Sequence, residues 1–359
     1  DVLGLEHVEL ARDFVGAQDH SRIISPIAEE TRTATLAQAA YRAWGRLEAE
    51  NDLRLLYRVG GLDLFPEGSA HTCQAQLLSL KQAGIAFELM DGAAAMRRWA
   101  PFRLDESTCV LHQPESAMIS ALAAISALQR SARRHGARVV ERTSIYRVQA
   151  QDGEFGVTTS DGRFMAEQVI LAPGALTNTL LRSFGFHLPL RVFYQQGVYF
   201  AAEHLSQYMP GRFPAWRWRD EPAFAGTPVH GAPGVKVGQE GAGPDLTQGL
   251  RPFEPDLGVQ HRVGRLVQRL LPHLGPQLFC RPCLTTQTPD RAPLVDRIPG
   301  QSNAWLAVEG AYGFEFAPAL GEALADLITG RTPDVDLSPY RIDRMTVREL
   351  QPVPRSPTP

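Results

Sequence analysis

The β-rich block between Leu190 and Arg219 constrains this chain most, because it interrupts an otherwise regular alternation of helices and strands. Upstream, Val2–Glu6 reads as a short buried strand ending in an acid. Residues 13–30 are polar and irregular. Leu36, Ala39, Ala40, Ala43, Trp44 and Leu47 then recur on one helical face. Leu53–Val59 predicts a strand stopped by Gly60-Gly61, and Ala70–Ala83 a helix closed by Gly84. Ile85–Met90 predicts a strand, and Asp91 can cap a short helix that ends before Pro101. Met118–His135 gives the strongest helical pattern, with Gly136 as its stop, and Ala137–Glu141 follows as a strand. Phe155–Ala166 reads as a hairpin turning at Asp161-Gly162, and Val169–Ala172 as a buried strand. Beyond the block, Gly234–Gly238 predicts a strand and 241–256 a Gly/Pro-rich loop. Val259–Leu271 predicts a helix, Ala304–Val308 a strand, and Pro318–Ile328 a helix ended by Gly330. An α/β nucleotide-type unit interrupted by a mainly antiparallel domain accommodates this order.

Length agrees, since 359 residues exceed what one compact core usually holds. A formal net charge of -3 leaves no basic excess to neutralise phosphates, which argues against nucleic acid as a partner. The longest mostly apolar run, Ala117–Leu128, is shorter than the roughly 20 residues that span a bilayer. The first residues carry no signal-like core, and four cysteines do not make a disulfide scaffold; a cytoplasmic protein is expected. The chain does not begin with Met, so residues are expected upstream. Gln351–Pro359 reads as a loose Pro-rich tail.

Local motifs say little about chemistry. Cys280-Arg-Pro-Cys283 has no second cysteine pair for zinc and opens no helix for dithiol redox. Two ordinary thiols, or one used as a covalent attachment point, remain open. No Gly-x-Gly-x-x-Gly, Walker A, Gly-x-Ser-x-Gly or His-Glu-x-x-His occurs, and the ten histidines show no metal spacing. Lys236 alternates with Val235 and Val237, and by pattern alone it faces solvent on a half-buried strand. Glu315 precedes an apolar helix, and by pattern alone it is an acid favoured by the helix dipole.

Five segments in order carry a resemblance. They are His20-Ser-Arg-Ile-Ile24, Val169-Ile-Leu-Ala-Pro-Gly-Ala175, Gly234-Val-Lys-Val-Gly238, Cys283-Leu-Thr-Thr-Gln-Thr-Pro-Asp290 and Gly310-Ala-Tyr-Gly-Phe-Glu-Phe316. Together, from about residue 2 to residue 340, they resemble the monomeric sarcosine oxidase family, which includes N-methyltryptophan and pipecolate oxidases. That resemblance implies an α/β (α+β) fold: a Rossmann-like FAD-binding domain plus a mainly antiparallel β substrate domain, both discontinuous. The expected division is 1–56, 114–186 and 286–340 for FAD, 57–113 and 187–285 for substrate, and 341–359 for the tail.

The resemblance also assigns roles. Cys283 matches the cysteine bonded through sulfur to the flavin. Lys236 matches the lysine that assists reaction with oxygen, where an ammonium stabilises developing negative charge. Arg22 matches an arginine near the flavin ring, and Ser21, Ile145, Gly313 and Phe314 fall among cofactor-binding positions. Glu6 would hold the adenine ribose hydroxyls, Gly174 lies in a turn near the cofactor, and the helix after Glu315 would point its N-terminus at the flavin. The partners implied are a small-molecule amine and O2, with neither nucleic acid nor membrane, in a monomer or small homo-oligomer. Two further readings fit the same residues: a D-amino-acid-dehydrogenase-like enzyme with another electron acceptor, and a non-catalytic flavoprotein relative.

Two departures stand out. The family opens with a strand and Gly-rich turn that cradle the pyrophosphate, whereas this chain starts at what resembles the second strand. The family's two cations for a substrate carboxylate fall at Ser25 and Glu315, which cannot form a cationic clamp. The expected substrate is therefore not sarcosine or a simple N-methyl amino acid, the family's binding mode being excluded most firmly, and Glu315 is expected to favour a second cationic or hydrogen-bond-donating group near the reacting amine. Like charge at Glu315 would repel a carboxylate, while Arg22 or Arg191 could hold one in another pose.

Overall fold

The helix Arg32–Asn51 buries the face that its periodicity marks, with Leu36, Ala40, Ala43, Trp44 and Leu47 all inside the core. Burying each such Leu contributes roughly 1.5–3 kcal/mol relative to exposure. The structure is a computed structural model, and it describes residues 1–11, 19–26, 32–151, 153–250, 252–311 and 313–345. Much of the polar stretch at 13–30, Tyr312 and the Pro-rich tail lie outside the described residues.

Alongside Arg32–Asn51 pack the helices Ala121–Arg134 and Ala317–Ile328, over a three-stranded sheet of Ser21–Ile24, Ala117–Ser120 and Leu56–Arg58. This sheet corrects the sequence reading. Met118–Ser120 was expected to begin the long helix; it is instead the central strand, antiparallel to both neighbours. Met118 and Ile119 are fully buried, and an apolar run of this length suits a strand as well as a helix until its neighbours are known.

A second core lies against one large sheet. Its order is Leu274–Gln287, Arg191–Ala202, Val235–Gln239, Phe224–Thr227, Ala215–Trp218, Gly61–Phe65, Cys109–Gln113, Glu88–Asp91. All neighbours are antiparallel except the parallel pair Ala215–Trp218 and Gly61–Phe65. The helix Leu257–Leu270 covers one face. Its N-terminus is capped by the Asp256 side chain, which accepts from the Val259 N–H at 3.0 Å. No strand is assigned to Leu274–Gln287 from the sequence, whereas the structure shows a long one. It tolerates Pro276 and Pro282 because it forms the edge of the sheet.

The remaining strands form smaller sheets. Leu3–Leu5 pairs in parallel with Arg138–Val140, and Val169–Leu171 in parallel with Ala304–Val308. The first was expected to be buried, yet Val2 is 68% exposed, since the strand has a partner on one side only. The hairpin Glu154–Thr159/Gly162–Ala166 forms as expected, and the Asp91 carboxylate caps Gly92–Arg98 by accepting from the Ala94 N–H at 2.7 Å. Among the described residues no helix is long and apolar enough to cross a membrane.

Candidate active site

Where the large sheet meets the Ser21–Ile24 sheet, a solvent-open cleft lies over the five strands from Leu274–Gln287 to Ala215–Trp218. Strand alternation explains which side chains enter it. Val235 and Val237 point into the core, so Lys236 projects to the opposite face. That face is not solvent, as the sequence pattern suggested: Ser21–Ile23 together with Ala311, Gly313, Phe314 and Glu315 line the space over it, and the Lys236 side chain is 17% exposed. Lys236 Nζ donates to the Ser21 carbonyl at 3.1 Å and pairs with Asp19. Gly197 on the next strand leaves room for that pair, since a Cβ there would stand 3.1 Å from Lys236 Cε.

Arg22 crosses the same cleft. Its Nη2 donates to Cys283 Sγ at 3.0 Å, its Nη1 lies 3.7 Å from Asp19, and its guanidinium sits over the Phe314 ring at 5.6 Å. Odd spacing separates the two cysteines of the CxxC. Cys283 faces the cleft, whereas Cys280 packs beneath the Leu257–Leu270 helix, 3.7 Å from Gln260 Nε2. Burial pushes the Cys283 thiol up, and Arg22 opposes that shift. No metal-binding cluster occurs among the described residues.

The turn after Ala304–Val308 brings in two acids. A Cβ on Gly313 would lie 2.3 Å from Glu309 Cβ, so only glycine permits the chain to fold back this tightly. Glu309 accepts from the Thr286 N–H at 2.9 Å, and burial pushes its carboxyl up to about 7. Glu315 is held by the Trp44 indole N–H, which donates to its carbonyl at 2.8 Å, and burial pushes its carboxyl up to about 8. Thus Glu315, treated as charged in the sequence reading, is mostly protonated at pH 7.

This has a measurable consequence. Folded protein keeps a proton on Glu315 that the unfolded chain releases near 4.5, so the group costs stability as pH rises from about 4.5 to about 8. Glu315→Gln should therefore gain stability relative to the parent at pH 8 compared with pH 5, by roughly 2–4 kcal/mol. Thermal melts of both proteins at the two pH values check this. Equal shifts at both would show that Glu315 is ionised in the folded state.

Lys236, Arg22, Glu315, Cys283, Ser21, Gly313 and Phe314 thus converge on one cleft. Glu6, Ile145 and Gly174 do not line it. Glu6 follows the Leu3–Leu5 strand and accepts from the Val8 N–H at 3.2 Å, and Ile145 opens a strand of the hairpin sheet. The Gly174 turn leads into Ala175, which packs near Leu284. Arg191, offered as a carboxylate partner, does not itself line the cleft; it donates at 3.1 Å to the carbonyl of Gly241, which does.

The sequence reading missed Asp19, Glu309 and Arg217. Arg217 lies between Trp216 and Trp218, whose buried rings mark the core face. Alternation therefore sends the guanidinium into the cleft, a signal legible in Trp-Arg-Trp once the strand is recognised. Arg217 is 6% exposed, donates to Ser25 Oγ at 3.0 Å and lies 3.8 Å from Glu240.

The family model described as "DAO: FAD dependent oxidoreductase" matches residues 13–327. The chain belongs to this family. It is an FAD-dependent oxidoreductase with a Rossmann-like α/β fold. It is similar to the N-methyl-L-tryptophan oxidase of Salmonella arizonae, 27% identical over 326 residues, which covers 89% of this chain and 85% of that protein. Two solved structures share the fold. NikD, an unusual amino acid oxidase essential for nikkomycin biosynthesis, has a TM-score of 0.81 at 22% identity, covering 95% of this chain and 90% of that one. Glycine oxidase from Geobacillus kaustophilus has a TM-score of 0.81 at 18% identity, covering 96% and 92%.

The residues of the cleft suit the flavin end of FAD. A reduced flavin is electron-rich, and the cleft offers the cations Arg22 and Lys236, a thiol at Cys283, and the Phe314 ring.

Proposed function

We propose that the protein oxidises the C–N bond of a small amine bearing a carboxylate, giving an imine that water hydrolyses. Bound FAD supplies the two-electron acceptor, held covalently through Cys283, and O2 takes the electrons onward to become H2O2. The observation that carries this reading is the convergence of Lys236, Arg22 and Cys283 in one cleft. Arg22, Ser21, Gly313 and Phe314 would line the ring. Glu6, Ile145 and Gly174, outside the cleft, would serve the rest of the dinucleotide. The FAD part comprises 1–56, 114–186 and 286–340, and the substrate part 57–113 and 187–285.

On the substrate side the chain's own residues do three things. Lys236 holds positive charge where oxygen gains negative charge. Arg217 replaces the cation missing at Ser25, to which it is hydrogen-bonded, and meets the carboxylate. Protonated Glu315 presents a neutral hydrogen-bonding group instead of a repelling charge. The names of the relatives, N-methyl-L-tryptophan oxidase and glycine oxidase, support amino-acid amines as substrates.

The test loads the full chain with FAD and mixes it anaerobically with sarcosine, cyclic imino acids, basic amino acids and amines lacking a carboxylate. At least one carboxylate-bearing amine should bleach the flavin and yield H2O2 on admitting air. Failure of every amine to bleach it would overturn the reading. Arg217→Met should raise KM for the best substrate by roughly 10- to 100-fold with a smaller change in kcat, as expected for a lost charge-assisted bond. An unchanged KM would remove Arg217 from the substrate site.

A further inference from the structure

The chain contains only two lysines, Lys81 and Lys236, and otherwise carries its positive charge on arginine. Lys81 is exposed on the helix Ala70–Gln82. Lys236 stands in the cleft, where its compact ammonium meets the Ser21 carbonyl and the Asp19 carboxylate. We propose that Asp19 is a positioning residue that anchors the Lys236 ammonium at the cleft wall. This rests on the role given to Lys236 above.

Asp19 is 2% exposed and makes contacts on both carboxylate oxygens. Its Oδ2 pairs with Lys236 Nζ and lies 3.7 Å from Arg22 Nη1, and its Oδ1 accepts from the Tyr199 hydroxyl. Tyr199 lies directly across the strands from Lys236 and stacks on Phe279 at 4.6 Å, so the anchor is itself fixed. Gly197 completes the cradle, because a Cβ there would stand 3.2 Å from Asp19 Oδ2 and 3.1 Å from Lys236 Cε. The flanking charges hold the carboxyl ionised: Lys236 and Arg22 bring Asp19 to about 2 against the cost of burial.

The other ionisable groups near this pair are Arg281 and Cys283 on the edge strand and Glu309 beyond them. None touches the Lys236 ammonium through a described hydrogen bond or ion pair; Ser21 and Asp19 do. With the Asp19 charge removed, Lys236 keeps one neutral acceptor and faces Arg22 across an uncharged group. Like charge and a nearby solvent opening then favour its swinging outward.

The test uses FAD-loaded full chain with 15N-labelled lysine, which gives two side-chain signals. Lys236→Met assigns them, and exposed Lys81 serves as the internal reference. In the parent, the Lys236 ammonium signal should be rigid and slow in hydrogen exchange, and in Asp19→Asn it should become as mobile as that of Lys81. Tyr199→Phe leaves the charge and should loosen the signal less, which preserves the test if Asp19→Asn folds poorly. Reoxidation of reduced flavin by oxygen should slow about tenfold or more in Asp19→Asn. It should slow no further when Asp19→Asn is added to Lys236→Met. A Lys236 signal that stays rigid in both Asp19→Asn and Tyr199→Phe overturns the proposal. A loosened signal with unchanged reoxidation supports the anchoring and refutes instead the role of Lys236 with oxygen.

Discussion

Changing Lys236 to Met should slow reoxidation of the reduced flavin by oxygen by roughly 10²–10³-fold, since one preorganised charge in such a site is worth about 2.7–4 kcal/mol. Methionine keeps the bulk and removes the charge. The Lys236 side chain is only 17% exposed and its ammonium is held by Ser21 and Asp19, so its field acts in a medium less screened than bulk water. Rapid mixing of reduced protein with oxygenated buffer reads the rate. Anaerobic reduction by substrate should change only a few-fold, because that step places no negative charge on oxygen. Unchanged reoxidation would leave Lys236 a partner of Asp19 and nothing more, and would favour an acceptor other than oxygen.

Cys283→Ser should abolish covalent attachment of FAD altogether, whereas Cys280→Ser should leave it intact. Parent protein precipitated with acid should stay yellow, and Cys283→Ser should release its colour to the supernatant. The contrast follows from strand geometry. Three residues along a strand reverse the facing, so Cys283 Sγ reaches Arg22 in the cleft while Cys280 lies under the Leu257–Leu270 helix. The Arg22 guanidinium at 3.0 Å favours the thiolate that attachment requires. Release by Cys280→Ser would show that the strand register in solution differs by an odd number of residues.

Local physics made several elements legible in the sequence. The Arg32–Asn51 helix follows from its apolar face, the Glu154–Thr159/Gly162–Ala166 hairpin from Asp161-Gly162, and the cap at Asp91 from its carboxylate. Each depends on neighbours within a few residues, which is the range over which propensity acts. The resemblance marked Cys283, Lys236 and Arg22; local pattern alone left Cys283 a thiol or attachment point and Lys236 a solvent-facing charge, and singled out Arg22 not at all. Tertiary structure decided the rest. Ala117–Ser120 is a strand because Ser21–Ile24 and Leu56–Arg58 flank it, and no local pattern separates that run from a helix. Leu274–Gln287 pairs along Arg191–Ala202 despite its prolines because the outer edge needs no partner. Lys236 alternates outward from the core in either reading; only the packing of Ser21–Ile24 over that face turned an apparent surface into a cleft. Asp19 and Glu309 sit in no motif, Arg217 has only the Trp-Arg-Trp alternation, and the charges of all three acquire meaning only where segments far apart in the chain converge. Burial there decides which carboxyl keeps its proton: it raises Glu309 and Glu315, while paired cations hold Asp19 ionised.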